Sequence, residues 1–354
     1  MRNFACTKCS NTIHFENISC LKCGHSVGFD ASSMAMVALE AAPQARPQGG
    51  GLFKISKGGK RAAIRYCANG SHGVCNWLTP AGHEASLCVA CGLNRTIPNL
   101  SEQGSLKAWK DLERAKKRLV YSLLRFDLPL ETQDNPPNRL TFDFARNMTT
   151  GHLDGVISVD IMEADAVERE RMRQHFDEPY RTLLGHLRHE SGHFYWSVLV
   201  ANTNNHDAFR NLFGDERQSY SDAIDRHYAA GAPPNWQSHY VSAYASSHPW
   251  EDWAETWAHY LHMMAAVDTA EAAGMEPRAA GLNFGAIWPF KRYDVYREEA
   301  FTTLMDRWIP LTIAMNRIAR SMGHNDFYPF ALPAPAYEKL AFVHRVVRDR
   351  QGNE

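Results

Sequence analysis

The chain has no cysteine beyond Cys91, no internal repeat, and no apolar run near the roughly 18 residues that cross a bilayer. It also has little net charge, with 38 Lys and Arg against 39 Asp and Glu in 354 residues. Each absence excludes something. Without a long apolar run there is no membrane-spanning helix and no call for a membrane partner. Met1 to Lys8 runs straight into a cysteine pair without the apolar core of a signal peptide, which predicts a cytoplasmic chain. In that reducing compartment, clustered cysteines read as metal ligands and not as a disulfide scaffold.

All eight cysteines fall between Cys6 and Cys91. Cys6-x2-Cys9 and Cys20-x2-Cys23 form two knuckles separated by ten residues, a spacing that offers four thiolates to one tetrahedral zinc. Cys67, Cys75, Cys88 and Cys91 have a looser spacing that fits a second four-cysteine structural zinc. Small cysteine-rich zinc units often bind nucleic acid, so charge matters here. Residues 1–100 are formally +6, but eight thiolates and two Zn²⁺ reduce that to about +2, and the remaining residues sum to −7. That is no basic footprint. A cluster from Lys54 to Arg65 could make a local patch, although a solvated hairpin is the favoured reading. Nucleic acid stays an alternative partner only.

His189-Glu190-Ser191-Gly192-His193 carries the most chemical information. Histidines at i and i+4 leave one face of a helix and can share a small cation, while the intervening glutamate can reach water beside it. Chance matches to this pattern number on the order of 0.05 for such a composition, so context decides. The flanks form one long helical pattern with Pro179 as a first-turn residue and Leu183, Leu187, Glu190 and Phe194 as a stripe widened by Leu184, Tyr195 and Val198. Polar groups in so apolar a helix need partners, and zinc is the natural one. His186, one turn earlier, sits along the axis and reads as core or as a support to the ligands.

A catalytic zinc needs a third protein ligand and one open position. Pro249 to His262 is helical in pattern and places Glu251 and Glu255 on one face among Trp250, Trp253 and Trp257. Glu251 is the favoured ligand, with Glu255 accepting the free N–H of a liganding histidine; the reverse assignment stays open. His259 and His262 read as supporting or surface residues. Zinc lowers the pKa of water from about 16 to about 7, and Glu190 is placed to act as general base. Tyr244 is a candidate donor to the oxyanion, with a plain core tyrosine as the alternative.

The helix from Glu178, the motif after it, Ser242-Ala243-Tyr244-Ala245 and Pro249-Trp250-Glu251-Asp252-Trp253-Ala254-Glu255 resemble the bacterial zinc-binding metallopeptidases that carry a zinc ribbon in front. The resemblance covers nearly the whole chain. More distantly, a tyrosine seven residues before E-x-x-A-E resembles the lethal-factor-like zincins, which implies Glu251 as ligand and Tyr244 as oxyanion donor. It implies a peptidase fold and site more firmly than a substrate.

The rest of the chain predicts an α+β architecture: a cysteine-rich β zinc ribbon over 1–98, then a mainly helical zincin-like domain with a small sheet over 99–354. Ala42 to Gly51 reads as a flexible loop. A helix from about Leu106 to Leu124 buries Leu106, Trp109, Leu112, Ala115, Leu119 and Leu123 and turns Lys116-Lys117-Arg118 to solvent. Leu140 to Phe144 and Gly155 to Ile161 alternate as strands. Val156 to Ile161 is the candidate edge strand for pairing with a substrate backbone, or else an ordinary core strand. Trp308 to Met322 and Tyr337 to Val347 read as helices behind the site. The functional expectation is an intracellular zinc endopeptidase acting on a peptide or protein. A zinc-ribbon scaffold that binds nucleic acid or protein without turnover is the alternative.

Overall fold

Short strands make up the cysteine-rich region and helices most of the remainder, an α+β arrangement. A computed structural model of the chain describes residues 2–41, 51–56, 63–82, 86–132, 138–167, 169, 182–275 and 293–349. Pro179, most of the expected loop from Ala42 to Gly51, and Lys57, Lys60 and Arg61 of the basic cluster lie outside the described residues.

β1 (Phe4–Ala5) and β2 (Thr12–Ile13) pair around the first knuckle. β3 (Val27–Asp30), β4 (Ala35–Ala41), β5 (Phe53–Ile55), β6 (Ile64–Tyr66) and β7 (Leu78–Pro80) then form an antiparallel sheet in chain order. Phe15, Phe29 and Trp77 meet inside this region. They also meet Tyr121 of α1 (Ser105–Arg125), with the Phe15 and Tyr121 rings 5.5 Å apart. The ribbon's aromatic centre is thus part of the main core and is closed by the first long helix, while Val37, Leu39 and Leu78 form a small second cluster on its sheet.

That packing overturns the expected solvated basic face of α1. Trp109, Leu112, Leu119 and Leu123 are buried as their spacing predicts, but so are Lys116 and Lys117, while Leu106 is partly exposed. The helix is covered on two sides. Lys116 bonds Glu113 at 2.7 Å, reaches Asn94, and lies over the rings of Phe142 and Phe144. Lys117 donates to the Val74 carbonyl at 2.7 Å, and Arg118 pairs with Glu16 at 2.6 Å. The charges read as a surface stripe are the joints between ribbon, helix and sheet.

β8 (Asn94–Thr96), which follows Cys91 directly, pairs parallel to β9 (Thr141–Ala145) in a second sheet of order β10-β11-β9-β8. β10 (Gly151–Leu153) and β11 (Val156–Asp160) form a hairpin. Val156 to Ile161 is thus an interior strand and not an edge; the edges are β8 and β10, of which β10 belongs to the hairpin. The hairpin turn is Asp154-Gly155, with φ of 47° and 79°, the positive pair that a two-residue I′ turn requires. A Cβ on Gly155 would stand 2.0 Å from Asn138 Oδ1, so glycine is required there for space as well.

α2 (Leu183–Leu199) begins at a Thr182 cap whose hydroxyl accepts the Gly185 N–H at 2.9 Å. It therefore starts later than the expected turn at Pro179. α3 (His206–Phe213) and α4 (Tyr220–Ala230) lead to α5 (Pro249–Ala272), which packs along α2. α6 (Phe301–Ser321) and α7 (Ala334–Asp349) pack behind α5, with Lys339 bonding Asp252 at 2.6 Å.

Lys116→Ala should cost about 3–5 kcal/mol of stability, because it removes the cation from a fully buried ion pair and leaves Glu113 with the uncharged Asn94 and Trp109 donors. Thermal or denaturant unfolding measures it, and the Glu113→Gln/Lys116→Met pair should recover much of the loss. A single-variant cost below about 1 kcal/mol, the usual ceiling for a surface pair, would contradict this role.

Candidate metal centre

The spacing between α2 and α5 is set by Gly192. A Cβ there would lie 2.9 Å from the Ala254 Cα and 3.2 Å from the Trp257 ring, so no larger residue fits without separating the helices. Trp253 Nε1 donates to the Gly192 carbonyl at 2.8 Å, and Trp257 Nε1 donates to Ser191 Oγ at 3.1 Å. Pro249 opens α5, with the N–H of Trp250 received by the His248 ring at 3.1 Å. Of the stripe expected for α2, Leu187, Phe194 and Tyr195 are buried, with Tyr195 stacked on Trp257 at 4.9 Å, while Leu183, Leu184 and Val198 are only partly buried.

His189, His193 and Glu251 meet there, each offering a ligand atom within 4.8 Å of the others. Glu251 Oε2 lies 2.9 Å from His189 Nε2, and Glu251 Oε1 lies 3.7 Å from His193 Nε2. Glu251 is almost wholly buried, and its Oε2 meets no polar group other than the facing His189 ring nitrogen among the described residues. An ionised oxygen buried without a donor is costly unless a cation stands against it. Two imidazoles and a carboxylate are a donor set that suits zinc. The residues fit the metal.

The surroundings support the same reading. His189 Nδ1 bonds Glu255 Oε1 at 2.7 Å, and Ser242 Oγ donates to Glu255 Oε2 at 2.5 Å, so Glu255 orients the ring and lies outside the ligand group. Burial disfavours a charged His189, yet the hydrogen bonds and charges of Glu251 and Glu255 outweigh it and hold its pKa well above the usual value. The cluster favours positive charge at this point. Glu255 itself is held at about 2, against burial, by His189 and Ser242.

Glu190 projects beside the ligands. Its Oε1 bonds His186 Nε2 at 3.0 Å, and His186 Nδ1 bonds Glu163 Oε2 at 2.7 Å. Burial works against both charges, but the pairing holds Glu190 at about 2 and His186 at about 10. Tyr244 lies across the site with its ring 6.0 Å from that of His189, and burial followed by the Glu251 charge pushes its phenol far up, so it stays a donor. His259 and His262 line the cleft without joining the ligand cluster. Neither is a surface residue: His259 is bonded to Tyr328 and His262 to Arg188.

The cleft above these groups encloses about 1700 Å³. His152 and Leu153 of the edge strand β10 form one wall, and Tyr228, Trp236 and Phe330 line other parts. The His152 ring stacks on His193 with centroids 6.0 Å apart, so the free edge of the sheet runs beside the metal ligands. Beyond Ser242, which the resemblance names only within its stretch, three contributors were not singled out from the sequence: Tyr220, whose phenol donates to Glu251 Oε1 at 2.7 Å, Glu163 and His152. The Asp154-Gly155 pair would have exposed the last of them, since it signals a hairpin with a further strand before it.

The cysteines form two clusters, Cys6, Cys9, Cys20 and Cys23, and Cys67, Cys75, Cys88 and Cys91. All eight are free. The Sγ atoms of Cys6 and Cys23, Cys9 and Cys20, and Cys75 and Cys88 are 3.6–3.7 Å apart. That is far beyond the roughly 2.0 Å of a disulfide and close to the roughly 3.8 Å edge of a tetrahedron built on Zn–S bonds of about 2.3 Å. Both donor sets fit structural zinc.

If the seam at Gly192 sets the ligand geometry, Gly192→Ala should lower stability by about 1–3 kcal/mol through overpacking and weaken zinc at the helical site while sparing the ribbon sites. Calorimetry and zinc titration read the two effects. An unchanged melting temperature together with unchanged affinity would contradict the account.

A family model described as "putative zinc-binding metallo-peptidase" matches residues 105–346, and one for a zinc-ribbon domain matches residues 3–102. Uncharacterised proteins of Mycobacterium bovis and of Mycobacterium tuberculosis are 40% identical, over 98% of this chain and 95% of theirs. No solved structure matches. With two histidines and a buried carboxylate at one point and two four-cysteine clusters before them, the chain belongs to this zinc-binding metallo-peptidase family and carries an N-terminal zinc ribbon.

Proposed function

We propose that the protein is an intracellular zinc endopeptidase holding one catalytic zinc ion, at His189, His193 and Glu251, and two structural zinc ions in the ribbon. The observation that carries this reading is the convergence of two imidazoles on one buried carboxylate, His189 on Glu251 Oε2 and His193 on Oε1, with Glu190 beside them. A zinc ion held there supplies Lewis acidity to water and to the scissile carbonyl.

The residues then divide the work. Glu190 accepts the proton of the attacking water and returns it to the leaving amine. His186 and Glu163 hold Glu190 in place, and Glu190 makes no other hydrogen bond among the described residues. Glu255 fixes the His189 ring through Nδ1 and so presents Nε2 to the metal. Tyr244 donates to the oxyanion. The unpaired edge of β10 takes the substrate backbone as an added strand, which orients the peptide bond across the ligands. A peptide or protein is the substrate, because an edge strand reads main chain and not base or sugar.

Glu190→Gln should retain zinc while lowering peptide hydrolysis by about 10²–10⁴-fold, the usual worth of a general base; hydrolysis at the wild-type rate in that variant would sink the assignment. The His186 pairing also predicts a pH effect. His186 holds the Glu190 pKa down, so His186→Phe should raise it, protonate the base at higher pH, and move the acidic limb of kcat/KM upward. A limb that stays in place would show that His186 does not tune the base.

A further inference from the structure

Tyr220 opens α4, a helix whose only well-buried residue is Ala223. The side chain is partly exposed, yet its phenol reaches Glu251, which is 1% exposed, and donates to Oε1 at 2.7 Å. Its ring is held edge-on to His248, the cap of α5, with centroids 5.3 Å apart, and lies near Trp250 at 6.2 Å. The two oxygens of Glu251 are therefore inequivalent. Oε1 is engaged by Tyr220 and lies 3.7 Å from His193 Nε2, whereas Oε2 is buried and faces only His189 Nε2, at 2.9 Å.

We infer that Tyr220 is a positioning residue for the metal, fixing the rotation of the Glu251 carboxylate so that Oε2, the oxygen without a phenol donor, is the one presented to the cluster beside His189, while Oε1 stays with Tyr220, 3.7 Å from His193 Nε2. This rests on the reading of that cluster as a zinc site. A carboxylate on a long side chain can rotate about its last torsion and offer one oxygen or both. A phenol hydrogen bond to one oxygen removes that freedom before the metal arrives, and the bond is strong because the acceptor is charged. One-oxygen ligation leaves the fourth position of a three-ligand site open for water, whereas two-oxygen ligation would occupy it.

The role differs from that of Tyr244. Tyr244 comes from the turn before α5, its ring faces His189, and no hydrogen bond to a ligand carboxylate is present. Tyr220 comes from a separate helix that also carries His227 and Tyr228 into the cleft lining. The metal centre thus draws on three helices: the histidines from α2, the carboxylate from α5, and the group that orients the carboxylate from α4.

The test is zinc affinity at the helical site, measured by chelator competition on the full chain with both ribbon sites filled, for wild type, Tyr220→Phe and His189→Ala/His193→Ala. Phenylalanine keeps the ring and its contacts, and the hydroxyl is at a partly exposed position, so the fold is retained; the melting temperature of the protein lacking the third zinc checks this. The inference predicts that Tyr220→Phe binds the third zinc about 10–100-fold more weakly, as loss of a group supporting a ligand does, with that melting temperature unchanged. An affinity within about twofold of wild type, in a chain whose double-histidine variant has lost the third zinc, overturns the role of Tyr220 alone. If wild type and the double-histidine variant bind zinc identically, the metal-site reading fails and this inference with it.

Discussion

Two helices approach at a glycine, and the chemistry of this protein depends on that contact. Gly192 lets α2 close on Ala254 of α5, and only at that separation do His189 and His193 on one helix face Glu251 and Glu255 on the other. The motif glutamate and histidines would exist on any helix with this sequence. What converts them into a site is a second helix close enough to place a carboxylate against them, and the indole bonds to Ser191 and to the Gly192 carbonyl fix the register of that approach.

The seam concentrates negative charge in a buried place. Glu190, Glu251 and Glu255 converge there with Glu163 behind, and His186 is hydrogen-bonded to Glu190 while His189 and His193 lie near enough to favour its charge. Burial alone would drive carboxylates to protonate. Here the imidazoles hold them ionised, and the remaining demand for positive charge is met at the point where His189, His193 and Glu251 converge. The same logic recurs at the ribbon. The second cysteine cluster lies against Glu113 and Lys116 of α1, a buried pair that ties the ribbon to the sheet bearing β10. Ribbon and helical region share one core, so the cysteine clusters bear on the shape of the cleft through α1 and β8.

Most of the ligand geometry was legible in the sequence because it is written in short-range spacing. A five-residue motif and an i, i+4 glutamate pair specify faces of helices whatever the tertiary structure. The α+β class and the late helices were legible for the same reason. What could not be read was set by contacts between distant segments. Lys116 and Lys117 look solvated from their own helix, and only the packing of the ribbon on one side and β9 on the other buries them. Val156 to Ile161 alternates like any strand, and its interior place depends on β10, three residues long and signalled only by the Asp154-Gly155 turn that follows it. Tyr220 lies 31 positions before Glu251, with no pattern linking the two.

The central claim is that one metal ion sits between α2 and α5 in addition to two in the ribbon. Elemental analysis of the purified full-length chain, wild type against His189→Ala/His193→Ala, tests it most directly. The account predicts about three zinc atoms per wild-type chain and about two in the variant, with the four-cysteine sites unaffected. About two zinc atoms in both proteins, even after zinc is added back, would mean that the helical seam holds no metal and would contradict the account.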